Sequence, residues 1–349
     1  MSATPGNAIL KPLLEQLLDR RSLSESQAET VLRELTQADL APAVAGAVLA
    51  ALRTKGVVAD EVRGFARAMR GLARRPQIPT GIAAIDIVGT GGDASGSFNL
   101  STGTALLVAA CGVPVIKHGN RSISSQSGSA DVLEQLGLRL PLDEVAAGAC
   151  LEACGFTFLF APHFHPAMKV IAPVRQALGV RTVFNILGPL TNPAAPPFHL
   201  IGAYSAEVAE LMAQTLAGLD VRRAFVLHSA NGWDEPTPAA PFTVFDVRPG
   251  SITRGARSVA DFGLAACSAQ ALAGGTAAHN AVALRAVLRG EDRGPHRDAL
   301  LLGAALALEV AGLVSGPREG VSRAARAIDN GSAAGVLDRL TTFGASQRT

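Results

Sequence analysis

The stretch best suited to chemistry begins where an apolar run over residues 85–88 passes directly into Gly89-Thr90-Gly91-Gly92-Asp93, with Asn99-Leu100-Ser101-Thr102 ahead of an apolar helix. Glycines let backbone N–H groups approach an oxyanion, and hydroxyls at a helix N-terminus add donors where the dipole favours negative charge. The spacing is neither the GxGxxG of dinucleotide-binding folds nor a Walker loop, because no Lys-Ser or Lys-Thr pair closes it. A second element, Lys117-His118-Gly119-Asn120-Arg121, follows a strand predicted over 113–116. A lysine at the end of a buried strand is costly unless an anion compensates it. Gly119, Ser124, Ser125, Ser127 and Gly128 provide a second set of small donors for the same anion. The third element is Asp234-Glu235, in a loop with Asn231, Gly232 and Pro236. Adjacent carboxylates on extended backbone point apart and suit two hard cations better than chelation of one, and Pro236 disfavours the helical region for Glu235. Alone, such a pair reads as a solvated turn. Beside two anion loops it reads as a magnesium site, because that ion is held by one or two carboxylates together with substrate phosphates.

A helical run over 165–175 places Met168, Ala172 and Arg175 on one face. That face is small, apolar and tipped with a guanidinium, which suits an aromatic ring carrying a carboxylate; the plainer reading is a core helix with an exposed arginine. His163 and His165 lie two apart, which is not helical metal-ligand spacing. There is no GxSxG elbow, and Cys111, Cys150, Cys154 and Cys267 form no CxxC pair and read as reduced core residues. The residues favour binding and electrostatic stabilisation over a protein nucleophile.

The elements that must position these groups divide in two. Residues 7–74 read as short amphipathic helices, with a capping box at Ser24 to Gln27 and one apolar face formed by Val62, Phe65, Ala66, Met69 and Leu72. Pro76 and Pro79 interrupt the helical pattern and mark a boundary, giving a small helical domain over 1–78 and a larger one over 79–349. Beyond it, predicted strands at 85–88, 113–116, 156–160, 199–202 and 224–227 alternate with helical stretches, the signature of an α/β domain with a mainly parallel sheet flanked by helices. An antiparallel excursion is expected over 243–247 and 251–253, and the run 299–314 reads as a buried helix too short to span a bilayer. In 349 residues with a net charge of +2, no basic tract marks nucleic acid or a membrane as partner. Residues 1–21 lack the regions of a signal peptide, which points to the cytoplasm.

With these motifs in this order, joined by SGSADVLEQLG over 127–137 and RTVFNILGPLTNP over 181–193, the chain resembles the anthranilate phosphoribosyltransferases of tryptophan biosynthesis, from the first helices to about Leu340. The resemblance implies a homodimer with the active site in a cleft between the domains, and it returns residues 163–180 to the helical unit. It places Gly89, Gly91, Gly92, Asp93, Asn99, Ser101, Thr102, Lys117 and Ser129 around phosphoribosyl diphosphate, with Asp234, Glu235 and Ser101 holding Mg2+, two ions with the diphosphate. It sets the acceptor, anthranilate, beside His118, Asn120, His165, Met168 and Ala172, with Arg175 on its carboxylate. His118 is a candidate proton acceptor because histidine titrates near neutral pH. Gln126, Pro236, Thr276 and Gly303 depart from the family pattern and leave room for a paralogue with another aromatic acceptor. A pyrimidine nucleoside phosphorylase fits the GTGGD and KHGNR spellings less well, and a non-catalytic nucleic-acid-binding paralogue fits poorly with the intact carboxylate pair and near-neutral charge.

Overall fold

The computed structural model describes residues 5–93, 95–122 and 126–347; Ser124 and Ser125, expected among the small donors, lie outside them. Four helices come first: α1 (Pro5–Leu18), α2 (Glu25–Leu35), α3 (Pro42–Lys55) and α4 (Ala59–Leu72). The Ser24 hydroxyl accepts the Gln27 N–H while the Gln27 side chain accepts the Ser24 N–H, so the capping box forms. Along α4, Val62, Phe65, Ala66 and Met69 are buried on the face that the sequence pattern predicts.

The chain then builds one seven-stranded sheet from β1 (Ile85–Gly89), β2 (Val115–Gly119), β3 (Phe156–Phe160), β4 (Phe198–Gly202), β5 (Arg223–Ser229), β6 (Phe242–Arg248) and β7 (Ser251–Arg257). Their order is β3-β2-β1-β4-β5-β6-β7, with the first five parallel and β6 and β7 added antiparallel. Strands buried on both faces send alternate side chains into different cores. Phe225 and Leu227 join one layer with α5 (Leu100–Ala110) and the helix Pro295–Val310, which is buried continuously from Ala299. Ala224 and Val226 join the other layer with α1 to α4 and Ile171 of the helix Met168–Leu178. The architecture is therefore a small helical unit against a mainly parallel, helix-flanked sheet. Among the described residues no helix is long and apolar enough to cross a membrane.

Two local differences from the sequence reading matter for the site. β2 runs on through Lys117, His118 and Gly119 instead of ending at Ile116, while Val113 closes a turn onto α5 through its N–H to Val108 and Pro114 has no N–H to give a ladder. The apolar pattern stopped early because these strand residues serve the cleft. Helix also begins only at Met168, since His165 caps the preceding turn Ala161–Phe164.

The chain passes from β1 to β2 and β3 on one side and returns from β3 to β4 on the other, so the order of the parallel strands reverses at β1, and the C-terminal ends of such strands open a crevice. β1 keeps register with β4 from Ile85 to Gly89 but with β2 at Ile85↔Val115 alone. Side chains fill the resulting gap: Lys117 Nζ donates to the Ile87 carbonyl, and Asp86 Oδ1 accepts the His118 N–H.

Candidate functional site

Most of the described residues that the sequence marked for anion chemistry meet at this crevice. Gly91 and Gly92 adopt φ of 67° and 72°, conformations that side chains rarely tolerate, which keeps the loop after β1 turned. Gly89 and Gly202, ending β1 and β4, make room for the 234–235 turn: a Cβ at Gly89 would lie 2.5 Å from Asp234 Oδ2, and one at Gly202 only 1.4 Å from the Asp234 carbonyl oxygen. Asp234 Oδ2 accepts the Gly91 N–H at 2.6 Å and the Thr90 hydroxyl at 3.3 Å. Glu235 Oε1 accepts the Ser101 N–H at 3.2 Å, where the α5 dipole favours a carboxylate. The Ser101 hydroxyl in turn accepts from Lys117 Nζ at 3.2 Å.

This concentration of buried charge is unbalanced. Burial and the nearby Asp93 carboxylate push Asp234 up to about 7. Burial and Asp234 push Glu235 up to about 8, against the pull of Lys117. Lys117 is itself lowered by burial, although Asp86, Glu235 and Asp234 hold it toward the charged form. Two hard-oxygen carboxylates that resist ionisation for want of positive charge form a donor set that fits magnesium. Among the described residues no cluster of three or more His, Cys, Asp or Glu side chains could cage a metal, so a metal here needs oxygens from a ligand.

Two adjoining cavities open from the crevice. The larger, about 600 Å³, is lined by Gly89, Gly91, Gly92, Asn99, Ser101, Lys117, Ser129, Asp234 and Glu235. The smaller, about 480 Å³, is lined by His118, Asn120, His165, Met168, Ala172 and Arg175. Gly89, Thr90, His118, Gly119 and Asn185 belong to both. In the smaller chamber the Arg175 guanidinium lies 5.0 Å from the Phe184 ring centroid, and burial lowers its pKa. His118 is buried, and its Nδ1 contacts the Gly188 carbonyl at 3.1 Å; a carbonyl only accepts, so the proton sits on Nδ1 and the Nε2 lone pair is left without a partner. Burial, reinforced by the neighbouring His165, pushes His118 down to about 3, and burial pushes His165 to about 4. Both rings are neutral at working pH, so His118 accepts a proton only weakly.

Two expected donor contacts fall outside this lining. Thr102 is fully buried within α5, its hydroxyl unpartnered, because the helix turns that face toward the core. Asp93 acts on the protein itself: Oδ2 accepts the Asp234 N–H and Oδ1 accepts the Ser95 N–H and hydroxyl. Asn99 faces the larger cavity but commits its amide to Ser127 and Asn280. Of the departures, Gln126 is exposed, Pro236 is buried behind Glu235, and Thr276 caps the helix Ala277–Leu288. Gly303 lies where a Cβ would meet Thr104 Oγ1 at 2.6 Å. Sequence reasoning missed Arg181, whose guanidinium donates to the Gly92 carbonyl and stacks 4.0 Å from the Tyr204 ring, and Asn185, shared by both chambers. Arg181 and Asn185 both lie in the 181–193 motif, which was the available signal.

Comparison with known proteins identifies the family and the fold. Residues 11–73 match the helical bundle domain, and residues 81–334 the a/b domain, of the glycosyl transferase family. The anthranilate phosphoribosyltransferase of Desulforudis audaxviator (strain MP104C) is 46% identical over 336 residues, 96% of each chain. The crystal structure of the Thermus thermophilus anthranilate phosphoribosyltransferase superposes with a TM-score of 0.88 at 41% identity, covering 95% of this chain and 98% of that one. The Saccharomyces cerevisiae enzyme, in complex with PRPP and Mg, superposes with a TM-score of 0.87 at 26% identity over 97% of this chain and 98% of that one. The same enzyme has also been solved with 4-fluoroanthranilate, at a TM-score of 0.86 and 26% identity over 98% of this chain and 99% of that one. The chain belongs to this glycosyl transferase family and, within it, groups with the anthranilate phosphoribosyltransferases.

Proposed function

We propose that the chain transfers the phosphoribosyl group of phosphoribosyl diphosphate to the amine of anthranilate, releasing diphosphate. The observation that carries this reading is the pair of chambers meeting at Gly89, Thr90 and His118, one rich in oxyanion donors and carboxylates, the other apolar and tipped by Arg175. The C–O bond from the ribosyl carbon to diphosphate breaks as the anthranilate nitrogen forms its bond on the opposite face, through an oxocarbenium-like centre. Gly91, Gly92 and Ser129 orient the donor, and Lys117 offsets part of the charge that develops on the departing diphosphate. Asp234 and Glu235, with Ser101, would hold magnesium, which neutralises diphosphate charge when bound. The acceptor ring lies along Met168 and Ala172 beside His165, with Arg175 on its carboxylate. Asn120 and the lone pair of His118 Nε2 face the amine, and the low basicity of His118 suits an aromatic ammonium that gives up its proton readily.

The same reading carries a small domain of residues 1–78 with 163–180, a large domain of 79–349, a cytoplasmic location and a homodimer. Exposed apolar side chains on α1 and the helix Met168–Leu178, namely Ile9, Leu18 and Val170, support the dimer, which light scattering of the intact chain would test. The decisive assay for the activity is turnover with phosphoribosyl diphosphate and anthranilate, with magnesium and with EDTA. Turnover that needs both substrates and the metal is expected; none, or turnover unaffected by EDTA, would overturn the reading.

A further inference from the structure

A cavity of about 790 Å³ lies at the other end of the sheet, where residue 82 leads into β1, residues 193–197 into β4 and Arg222 into β5, and it shares no lining residue with the two chambers of the cleft. Its charged lining is four arginines, at 67, 70, 75 and 222, against the two carboxylates of Glu29 and Asp220, which leaves two positive charges in excess. Arg67 is already paired with Glu25 at 2.5 Å. Among the described residues no carboxylate lies within ion-pair distance of Arg70, Arg75 or Arg222. Arg70 is fixed from one side by its Nε–H to the Leu190 carbonyl, and its Nη2 is buried with no hydrogen-bond partner, a costly state for a charged donor that an anion would relieve. Ala195, on the proline-rich wall, is held at φ 45°, a left-handed conformation unusual for a residue with a Cβ, and such outliers gather at binding sites.

We propose that this cavity is a second oxyanion site, taking a small organic phosphate or carboxylate whose charged end is bound by Arg70, Arg75 and Arg222 and whose apolar body rests on the 193–197 wall. A volume of about 790 Å³ is of the size that holds a small molecule. Planar guanidiniums bind both oxyanions through paired N–H donors, so the geometry sets the charge class and leaves the choice between phosphate and carboxylate to the ligand body.

The test uses the intact chain and an Arg75→Ala/Arg222→Ala double variant, which alters two exposed side chains outside the cleft. Crystals soaked in tungstate are expected to show an anomalous peak against Arg70 in the wild type, in addition to any in the cleft, and to lose that peak alone in the variant. Calorimetric titrations with inorganic phosphate and with benzoate separate the two sources: for whichever anion is preferred, the component absent from the cleft should weaken tenfold or more in the variant. A peak confined to the cleft, or isotherms that do not change between wild type and variant for both anions, would overturn the site. Arg70 is left intact because it also holds the Leu190 carbonyl, and Arg222→Gln alone serves as a second, milder variant, with the same loss expected in smaller degree.

Discussion

Replacing Gly89 by alanine should weaken magnesium use while sparing the fold. The new methyl would stand 2.5 Å from Asp234 Oδ2 and 3.0 Å from its Cγ, too close for either to stay. The carboxylate can rotate away, but only by giving up the 2.6 Å bond from the Gly91 N–H and the 3.3 Å bond from Thr90. Losing a charge-assisted hydrogen bond costs about 1.5 to 3 kcal/mol. Because tenfold in an equilibrium constant is about 1.4 kcal/mol, the magnesium concentration for half-maximal activity should rise roughly tenfold to a few hundredfold. The anthranilate KM should change less, since the new methyl meets Asp234, which does not line the smaller chamber that Gly89 borders. Gly202→Ala is the contrasting variant: its methyl would lie 1.4 Å from the Asp234 carbonyl oxygen and 2.5 Å from the carbonyl carbon, so backbone must move and thermal stability should fall. The assay is activity against magnesium concentration at saturating substrates, with melting temperatures for all three proteins. Gly89→Ala with wild-type magnesium dependence would refute the argument that Asp234 in this pose serves the metal.

Three further outcomes follow from the same geometry. Arg175→Ala should lower kcat/KM for anthranilate by roughly tenfold to a few hundredfold while leaving turnover with aniline nearly unchanged, with lysine restoring only part; equal losses on both acceptors would make Arg175 structural. Asp234 and Glu235, at about 7 and about 8 when folded against 3.8 and 4.5 ordinarily, keep protons that the unfolded chain has lost. Their contribution to metal-free stability is therefore present below about pH 4 and lost as pH rises through about 8, and magnesium must displace those protons, so its apparent affinity should fall as pH drops from about 9 to about 6. Calorimetry across that range in buffers of different ionisation enthalpy checks this, and an affinity independent of pH would contradict the shifts. Gly303→Asn should destabilise by about 1 to 3 kcal/mol in urea titrations, because its Cβ meets Thr104 at 2.6 Å between two buried helices, and an unchanged midpoint would show that α5 yields easily.

Legibility in the sequence followed solvent and period. The helices of the first unit have one wet face, so Val62, Phe65, Ala66 and Met69 recur at helical spacing and could be read directly. Strands buried on both faces show as unbroken apolar runs, which locates β3 and β5 well but says nothing about pairing order. The order β3-β2-β1-β4, which creates the crevice, rests on contacts far apart in sequence and emerges only in three dimensions. The glycine loop, Lys117 and the carboxylate pair were legible because glycines and charges in an otherwise apolar chain need a reason. Thr102 shows the converse: a hydroxyl near a helix start resembles a donor in the sequence, while the helix phase here buries it.

What the sequence hid most completely is the support beneath the cleft. Asp86 sits inside a run that reads as plain strand, yet its Oδ1 holds the His118 N–H, and its Oδ2 accepts from Asn192 Nδ2, which also bonds the Ile116 carbonyl. Burial pushes this carboxyl up to about 6, so it is an unfavourable group to place between two strands. Its position gives the reason for it. β1 and β2 part after Ile85 and Val115, and where the ladder would continue, Asp86 and Lys117 supply side-chain bonds in place of backbone ones. An ordinary ladder would bring β1 and β2 together along their whole length and close the gap into which Lys117 reaches toward Ser101. A seam of side-chain hydrogen bonds keeps the strand ends apart and still satisfies their polar groups. The parting of β1 and β2 is therefore bridged by Asp86, Asn192 and Lys117 together, residues separated by up to 106 positions in the chain.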